Sequence, residues 1–225
     1  MELQRLAFSF FNADVASRYW PQIVEGFWLT TQLGAAVIVA GIVLGLALAL
    51  LRAFHFKPAN FLIVFFADAL RALPPLVVII LLFFALPFVG ISMSALMATW
   101  LSLSLVLAAF AEEIFWAGIL AVPKGQTEAA RSTGMSRAQT LMNVVLPQAL
   151  RLTIPPLTNR MISITKGTAL GSVIAVHEII YHASSGASEA GNPTPLTLGA
   201  LAYLVLFVPV VIFGRWVETR FAWKR

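Results

Sequence analysis

The chain has 225 residues, of which 60% are hydrophobic and 11% are charged, and its mean hydropathy is +0.88. Soluble domains carry about a quarter charged residues, so this composition excludes an ordinary soluble domain and indicates a membrane protein. Cysteine is absent, which excludes a disulfide framework and a thiol nucleophile, and no GxxxxGK[ST] motif offers a P-loop for nucleotide.

Apolar stretches in chain order predict an all-α polytopic protein that forms one transmembrane domain over residues 1–225. The residues up to about Trp20 predict a short interfacial helix. No charged residue occurs between Trp28 and Leu51, a stretch long enough to cross about 30 Å of hydrocarbon. Pro74 and Pro75 predict a kink or break inside the second stretch. The five predicted spans are 28–54, 60–89, 91–120, 152–176 and 196–216.

Lysine and arginine are concentrated on one side of this predicted topology. The opposite loops, Gly90 to Ser92 and about Ala175 to Pro195, contain neither residue. The positive-inside rule therefore predicts an outer N-terminus and a cytoplasmic C-terminus, and it assigns the net charge of +5 to the inner face rather than to nucleic-acid binding. The inner-face charges are Arg52, Lys57, Lys124, Arg131, Arg137, Arg151, Arg215, Arg220, Lys224 and Arg225.

A polar segment at 123–148, here named the knob, interrupts the apolar chain and is predicted to be cytoplasmic. Thr127 is a predicted N-cap, and Gly134 can end the first short helix in a left-handed conformation. Ser136 can cap a second short helix that runs to Val145, and Pro147 marks the start of the fourth span. On spacing alone, an ordinary amphipathic loop is an equal alternative.

The knob also carries a motif. Glu128, Ala129 and Ala130 are followed after three residues by Gly134 and, nine residues later, by "VVLP" ending in Leu146 and Pro147. This pattern resembles the EAA motif in permease subunits of bacterial ATP-binding-cassette (ABC) importers. The runs "VPKGQTEAARSTGMS", "VVLPQALRLTIPPLTN" and "TKGTALGSVI" are similar to the polar amino acid uptake branch, and the resemblance covers about Phe27 to Ala222.

The resemblance implies a type I ABC importer permease fold and a division of labour among chains in a bacterial inner membrane. Two permease subunits, identical or homologous, would form the pathway for a polar amino acid or similar zwitterion. Two ATP-binding subunits would hold ATP and Mg²⁺, and an extracytoplasmic binding protein would deliver substrate. This chain would bind no cofactor and would catalyse no reaction. The knob would be the coupling helix, through Glu128, Ala129, Ala130, Gly134, Leu146 and Pro147.

Ionisable residues in the predicted spans are costly to insert and are functional candidates. Asp68 and Arg71 are three residues apart, so they can form a structural ion pair or line the substrate pathway. Glu113 stands where the related branch has a glutamate in an "AEI" element, and Trp116 stands where that branch usually has arginine. Glu112 and Glu113 can alternatively lie at the inner interface and be solvated.

The fourth predicted span carries a polar stripe. Asn159, Ser163 and Lys166 fall on one helical face, which should line a protein contact or a water-filled cavity. Lys166 and Thr168 match a "K(D/N)TSL" element of the branch, whereas Gly167 replaces its acid. Lys166 can meet a substrate carboxylate or neutralise Glu113.

The polar residues also leave two different classes of protein open. An ion-coupled secondary transporter could use Asp68 and Glu113, and an intramembrane enzyme would need a nucleophile or metal cluster. His177 and His182 are five residues apart, which is not helical metal spacing, so no metal site is expected. These two histidines and Glu178 are expected in a solvated outer loop, with a docking surface as the alternative.

A stripe of small residues lies along the first predicted span. It consists of Thr30, Gly34, Gly41 and Gly45. Small side chains at helical spacing let the backbones of two membrane helices approach closely. The stripe therefore predicts close helix packing rather than a binding site.

Overall fold

The structure, a computed structural model, describes residues 8–221; Lys224 and Arg225 of the predicted inner-face charges lie outside this range. The described residues form helices joined by short connections and contain no strand, which confirms the predicted all-α fold. The helices are α1 (Ala13–Ala53), α2 (Lys57–Ala72), α3 (Pro75–Ile80), α4 (Ala95–Ala121), α5 (Lys124–Ser132), α6 (Arg137–Thr140), α7 (Leu146–Lys166), α8 (Ile179–Ala190) and α9 (Thr194–Phe221).

Short π and 3-10 turns extend three of these helices. A π turn (Leu81–Ala85) and a 3-10 turn (Leu86–Val89) continue α3, and a second π turn (Leu141–Val145) joins α6 to α7. A longer 3-10 segment, Gly167–Ile174, follows α7. The predicted fourth span at 152–176 therefore changes helix type at Gly167.

Three described helices are long and apolar enough to cross a membrane, namely α1, α4 and α9. The interrupted pair of α2 with the 75–89 segment can count as a fourth. The fourth predicted span is not among them, and its helix α7 carries Arg151, Arg160 and Lys166. Its membrane crossing, and with it the five-span topology, stays a prediction.

The structure corrects the predicted start of the chain and confirms the predicted break. Helix α1 begins at Ala13 and runs without interruption through Pro21, so residues 13–20 belong to the first long helix and not to a separate interfacial one. Residues 8–10 are also helical, and residues 11 and 12 separate them from α1. Tyr19 and Ile23 on either side of Pro21 are buried, and this packing offsets the helix-breaking tendency of proline. Between α2 and α3, Leu73 and Pro74 adopt extended conformations with ψ of 137° and 136°, which confirms the break.

The chain divides into two compact units. The first unit contains residues 1–38, 74–103 and 164–211. Its core is formed by α1, α8 and α9, where Ile23, Ile179, Ala183 and Ala202 pack together. The second unit contains residues 39–73, 104–163 and 212–225. It has two clusters, one around Phe115 and Leu157 and one around Leu141 and Ala149.

Close packing at the small-residue stripe is confirmed inside each unit. In the second unit, a Cβ on Gly41 would lie 2.7 Å from Leu107 Cβ, and one on Gly45 would lie 2.6 Å from Ala111 Cβ. In the first unit, a Cβ on Gly34 would lie 2.5 Å from Thr165 Cγ2. Real Cβ atoms do not approach so closely, so these glycines allow the helices to touch.

Candidate functional site

The first helix of the knob begins one turn earlier than its sequence predicts. Helix α5 starts at Lys124 with Pro123 as its N-cap, so Thr127 lies inside the helix and the predicted cap is wrong. Pro123 has a φ of −56°, which is already suited to the start of a helix. A proline that fixes the backbone therefore starts the helix in place of the predicted threonine cap.

The end of α5 and the start of α6 confirm the predicted turn. Gly134 has a φ of +89°, and the Met135 N–H donates to the Ala130 carbonyl at 3.3 Å. Ser136 and Gln139 form a reciprocal capping box, with N–H to side-chain oxygen distances of 3.2 Å and 2.8 Å. Local hydrogen bonds therefore fix the shape of the knob.

The second helix of the knob does not end at Val145. The π turn passes directly into α7, and Pro147 lies in the first turn of α7, where its missing N–H is tolerated. The six predicted coupling residues differ in burial. Ala130 and Leu146 are buried within the subunit, whereas the exposed ones are Glu128, Ala129, Gly134 and Pro147.

The second unit contains a buried ion pair that the sequence pattern did not predict. Arg52 Nη1 donates to Glu112 Oε1 at 2.9 Å and to Oε2 at 3.3 Å, and the Glu112 side chain is 1% exposed. The Arg52 guanidinium also lies 4.7 Å from the Trp116 ring centroid. Glu112 is therefore a structural carboxylate, and the solvated alternative is wrong for it.

Arg71 links the two carboxylates that were predicted in the pathway. Its Nη2 lies 2.7 Å from Glu113 Oε2, and its Nη1 lies 3.6 Å from Asp68 Oδ1. The side chains of Asp68 and Glu113 are 68% and 47% exposed. The partner of the Glu113 carboxylate is thus Arg71 rather than Lys166, which was one of the two predicted alternatives. The Arg160 guanidinium lies 3.6 Å from the centroid of Phe110 in the same unit.

The polar stripe on α7 is exposed where the sequence placed it. Asn159, Ser163 and Lys166 all have exposed side chains. The Lys166 ammonium lies 5.9 Å from the Phe207 ring centroid in the first unit. Thr168, the last predicted pathway residue, is buried, and its hydroxyl donates to the Thr165 carbonyl at 2.8 Å.

Glu178 in the first unit is fully buried, so the predicted solvated position is wrong. Its Oε1 accepts the Tyr181 N–H at 2.9 Å and caps α8, and its Oε2 accepts the Tyr203 hydroxyl at 2.5 Å. The Ile179 N–H beside it donates to Thr30 Oγ1 at 3.3 Å. Burial raises the pKa of Glu178 to about 7, against the lowering effect of these hydrogen bonds.

The two histidines predicted for the outer loop form a ring cluster. His177 stacks on Tyr181 with a centroid distance of 4.4 Å and lies 5.8 Å from His182. Burial, followed by the nearby His177, lowers the pKa of His182. Within residues 8–221, no group of three or more His, Cys, Asp or Glu side chains could hold a metal ion.

Long apolar helices with paired charges inside them define the chain as a polytopic helical membrane protein. Residues 41–223 match the family of the "Binding-protein-dependent transport system inner membrane component". The chain belongs to this family, which confirms the predicted resemblance and makes the chain a transport subunit of the inner membrane. The ion-coupled secondary transporter gains no support from this match.

Relatives and solved structures agree with this family. The chain is 32% identical over 213 residues to "Probable amino-acid ABC transporter permease protein YckA" of Bacillus subtilis, covering 94% of each chain. It is 36% identical over 201 residues to "Probable glutamine ABC transporter permease protein GlnP" of the same organism, covering 87% of this chain and 92% of GlnP. A solved "amino acid ABC transporter with histidines" has a TM-score of 0.82 at 30% identity, covering 91% and 96% of the two chains.

Proposed function

We propose that the chain is the permease subunit of an ABC importer for a polar amino acid or a similar zwitterion. One observation carries the proposal: the relatives that cover nearly the whole chain at 30% identity or more include proteins named as amino acid permeases. Reconstitution with copurifying ATP-binding subunits, followed by uptake of labelled polar amino acids, tests it directly. ATP-dependent uptake is expected, and uptake of sugars or metal ions in its place would contradict the substrate class.

The knob is the proposed docking element for one of two ATP-binding subunits, which would hold the ATP and Mg²⁺. Exposed Glu128 and Ala129 offer one polar and one small contact on α5, and the turn at Gly134 has open space around it. Buried Ala130 and Leu146 would act by positioning these exposed residues, because their own surfaces are covered within the subunit. A second permease subunit and an extracytoplasmic binding protein complete the proposed assembly.

The proposed pathway residues supply both signs of charge, as a zwitterion requires. In the second unit, Arg71 is anchored by Glu113 while the Asp68 carboxylate stays largely exposed. Asn159 and Ser163 add exposed hydrogen-bonding groups on α7. In the first unit, the exposed ammonium of Lys166 could bind a carboxylate, and Thr168 would support the backbone beside it.

The proposed orientation, with the knob in the cytoplasm and α8 outside, can be tested by cysteine labelling. The chain has no natural cysteine, and Ala138 in α6 and Ser188 in α8 are both exposed. Ala138→Cys should react with an impermeant maleimide only after the membrane is opened, whereas Ser188→Cys should react in intact cells. Val37→Cys, at a buried position, should stay unlabelled in both conditions. Labelling of both exposed sites from outside would refute the orientation.

Substitutions in the knob should uncouple ATP hydrolysis from transport. Glu128→Lys reverses a charge at the proposed contact, and Gly134→Trp forces a side chain into a backbone conformation of φ +89°. Each should weaken docking by about 2–5 kcal/mol, seen as lower recovery of the ATP-binding subunits and lost stimulation of ATPase activity by substrate.

Matched controls separate this interface effect from general damage. Gly191→Trp introduces the same residue at φ +57° in open space outside the knob, and Glu25→Lys reverses an exposed charge on α1. Both controls should keep normal coupling. Normal coupling in the two knob variants as well would remove the docking role while leaving the substrate class to the uptake assay.

A further inference from the structure

A cavity of about 590 Å³ lies in the second unit, beside the knob. Its walls come from the turn that follows α1, from the last two turns of α4 and from the helices of the knob. Glu128 is absent from the side chains that line it, while Thr127 and Arg131, one turn apart on α5, belong to them. The cavity is therefore on a different face of α5 from the proposed docking residue.

The polar part of the wall is positively charged. Arg131 and Arg137 line the cavity with exposed side chains, and none of the described residues that line it is acidic. Thr140 lines it too and is 2% exposed, yet its Oγ1 has no hydrogen-bond partner among the described residues. A buried hydroxyl without a partner is costly, so a ligand oxygen at this position would satisfy it.

The rest of the wall is apolar and aromatic. Trp116 is held in place by Arg52, whose guanidinium lies 4.7 Å from its ring centroid, and by the edge of His55 at 6.0 Å. Phe54 and Leu120 also line the cavity, and they are 55% and 64% exposed. These two side chains continue the apolar wall from the cavity onto the outer surface of the subunit.

We propose that this cavity binds the head group of an anionic phospholipid, with the acyl chains leaving across Phe54 and Leu120. The two arginines would neutralise the phosphate, and the Thr140 hydroxyl would bond to a head-group or ester oxygen. A freely soluble phosphate would use the arginines but would leave the exposed apolar wall uncovered. Anionic head groups attract lysines and arginines at the membrane surface, and the knob carries these residues on the side predicted to be cytoplasmic.

The probe is dioctanoyl phosphatidylglycerol, with dioctanoyl phosphatidylcholine as the neutral comparison. It is added to the full-length chain, with any copurifying subunits, in phosphatidylcholine nanodiscs. Native mass spectrometry then measures the retained lipid, and thermal unfolding measures its stabilising effect. Phosphatidylglycerol should bind at least about tenfold more tightly than phosphatidylcholine, since each arginine near an anionic lipid is worth about fivefold in binding.

Two variants and one control test the assignment to this cavity. Arg131→Gln combined with Arg137→Gln should lower the binding of phosphatidylglycerol by about twenty- to thirtyfold. Arg151→Gln combined with Arg220→Gln removes the same charge from exposed positions that do not line the cavity and should leave binding within about threefold. Leu120→Trp keeps every charge but adds bulk where the acyl chains would leave the cavity, and it should also weaken binding.

Three results would overturn the proposal. Equal retention of the two lipids would show that the cavity does not select for the negative charge of the head group. Equal stabilisation by inorganic phosphate, with no added effect from phosphatidylglycerol, would show a soluble-anion site. Expulsion of phosphatidylglycerol when the ATP-binding subunits assemble would show that the cavity belongs to the subunit interface.

Discussion

Replacement of Arg52 by methionine should lower the free energy of unfolding by about 3–5 kcal/mol, since it leaves the Glu112 carboxylate buried without its partner. The pair is short, at 2.9 Å, and the Glu112 side chain is 1% exposed, so in the folded protein its carboxylate depends on the guanidinium rather than on water. Loss of the cation–π contact between Arg52 and Trp116 adds to the effect. Denaturant or thermal unfolding of the purified protein in a fixed lipid or detergent measures it.

A second substitution identifies the cause of this loss. Arg52→Met combined with Glu112→Gln removes the stranded charge and should recover more than half of the stability. Arg71→Met is the matched control, because it removes a pair of 2.7 Å with Glu113, whose side chain is 47% exposed. The control should cost less than the buried pair, about 1 kcal/mol. A double variant no more stable than Arg52→Met alone would show that packing, rather than the charge, makes Arg52 important.

Stability should fall as the pH rises through the range in which Glu178 ionises. Burial raises the pKa of Glu178 from its ordinary 4.5 to about 7, so the folded protein holds a proton that the unfolded chain has released. The raised pKa of Glu178 stabilises the folded protein by about 3 kcal/mol at pH values below 4.5, and this stabilisation is lost as the pH approaches 7. Unfolding measured at pH 5 and pH 8 tests this direction.

Glu178→Gln separates the contribution of Glu178 to this pH dependence from the contribution of the neighbouring histidines. The amide oxygen can still accept the Tyr181 N–H, and the amide nitrogen can donate to the Tyr203 oxygen, so the cap and the link to α9 can both survive. The variant should therefore lose about 2–3 kcal/mol less than the wild-type protein between pH 5 and pH 8, because a smaller part of the total is already lost at pH 5. An identical pH dependence in the two proteins would show that the Glu178 carboxyl does not couple ionisation to folding.

Local signals in the sequence predicted the local structure well. The left-handed turn at Gly134, the Ser136 cap and the break before Pro75 each depend on a few neighbouring residues, and all three are confirmed. Thr127 failed as a cap because Pro123 started the helix one turn earlier. A threonine cap and a proline start are both compatible with the same stretch, so propensity alone could not decide between them.

The sequence pattern could not predict contacts between residues that are far apart in the chain. Arg52 and Glu112 are separated by 60 residues, and Glu178 and Tyr203 by 25, and no periodicity brings either pair together. Glu178 was expected to be solvated because it falls in the stretch predicted as an outer loop, yet the packing of α1, α8 and α9 buries it. The available signal in the sequence was the free-energy cost of burying a carboxylate, because an acidic residue beside an apolar run needs a partner or water.

The separation of Arg52 from Glu112 also has a consequence for biosynthesis. At about 5–20 residues per second, a ribosome takes about 3–12 s to synthesise the 60 residues between them. Throughout that interval Arg52 lies at the C-terminal end of a hydrophobic helix without its partner Glu112, and lipid phosphates or water must solvate it. When α4 enters the membrane, the Glu112 carboxylate needs Arg52 beside it to neutralise its charge. Arrival of α4 is therefore the first point in synthesis at which the Arg52–Glu112 pair can form.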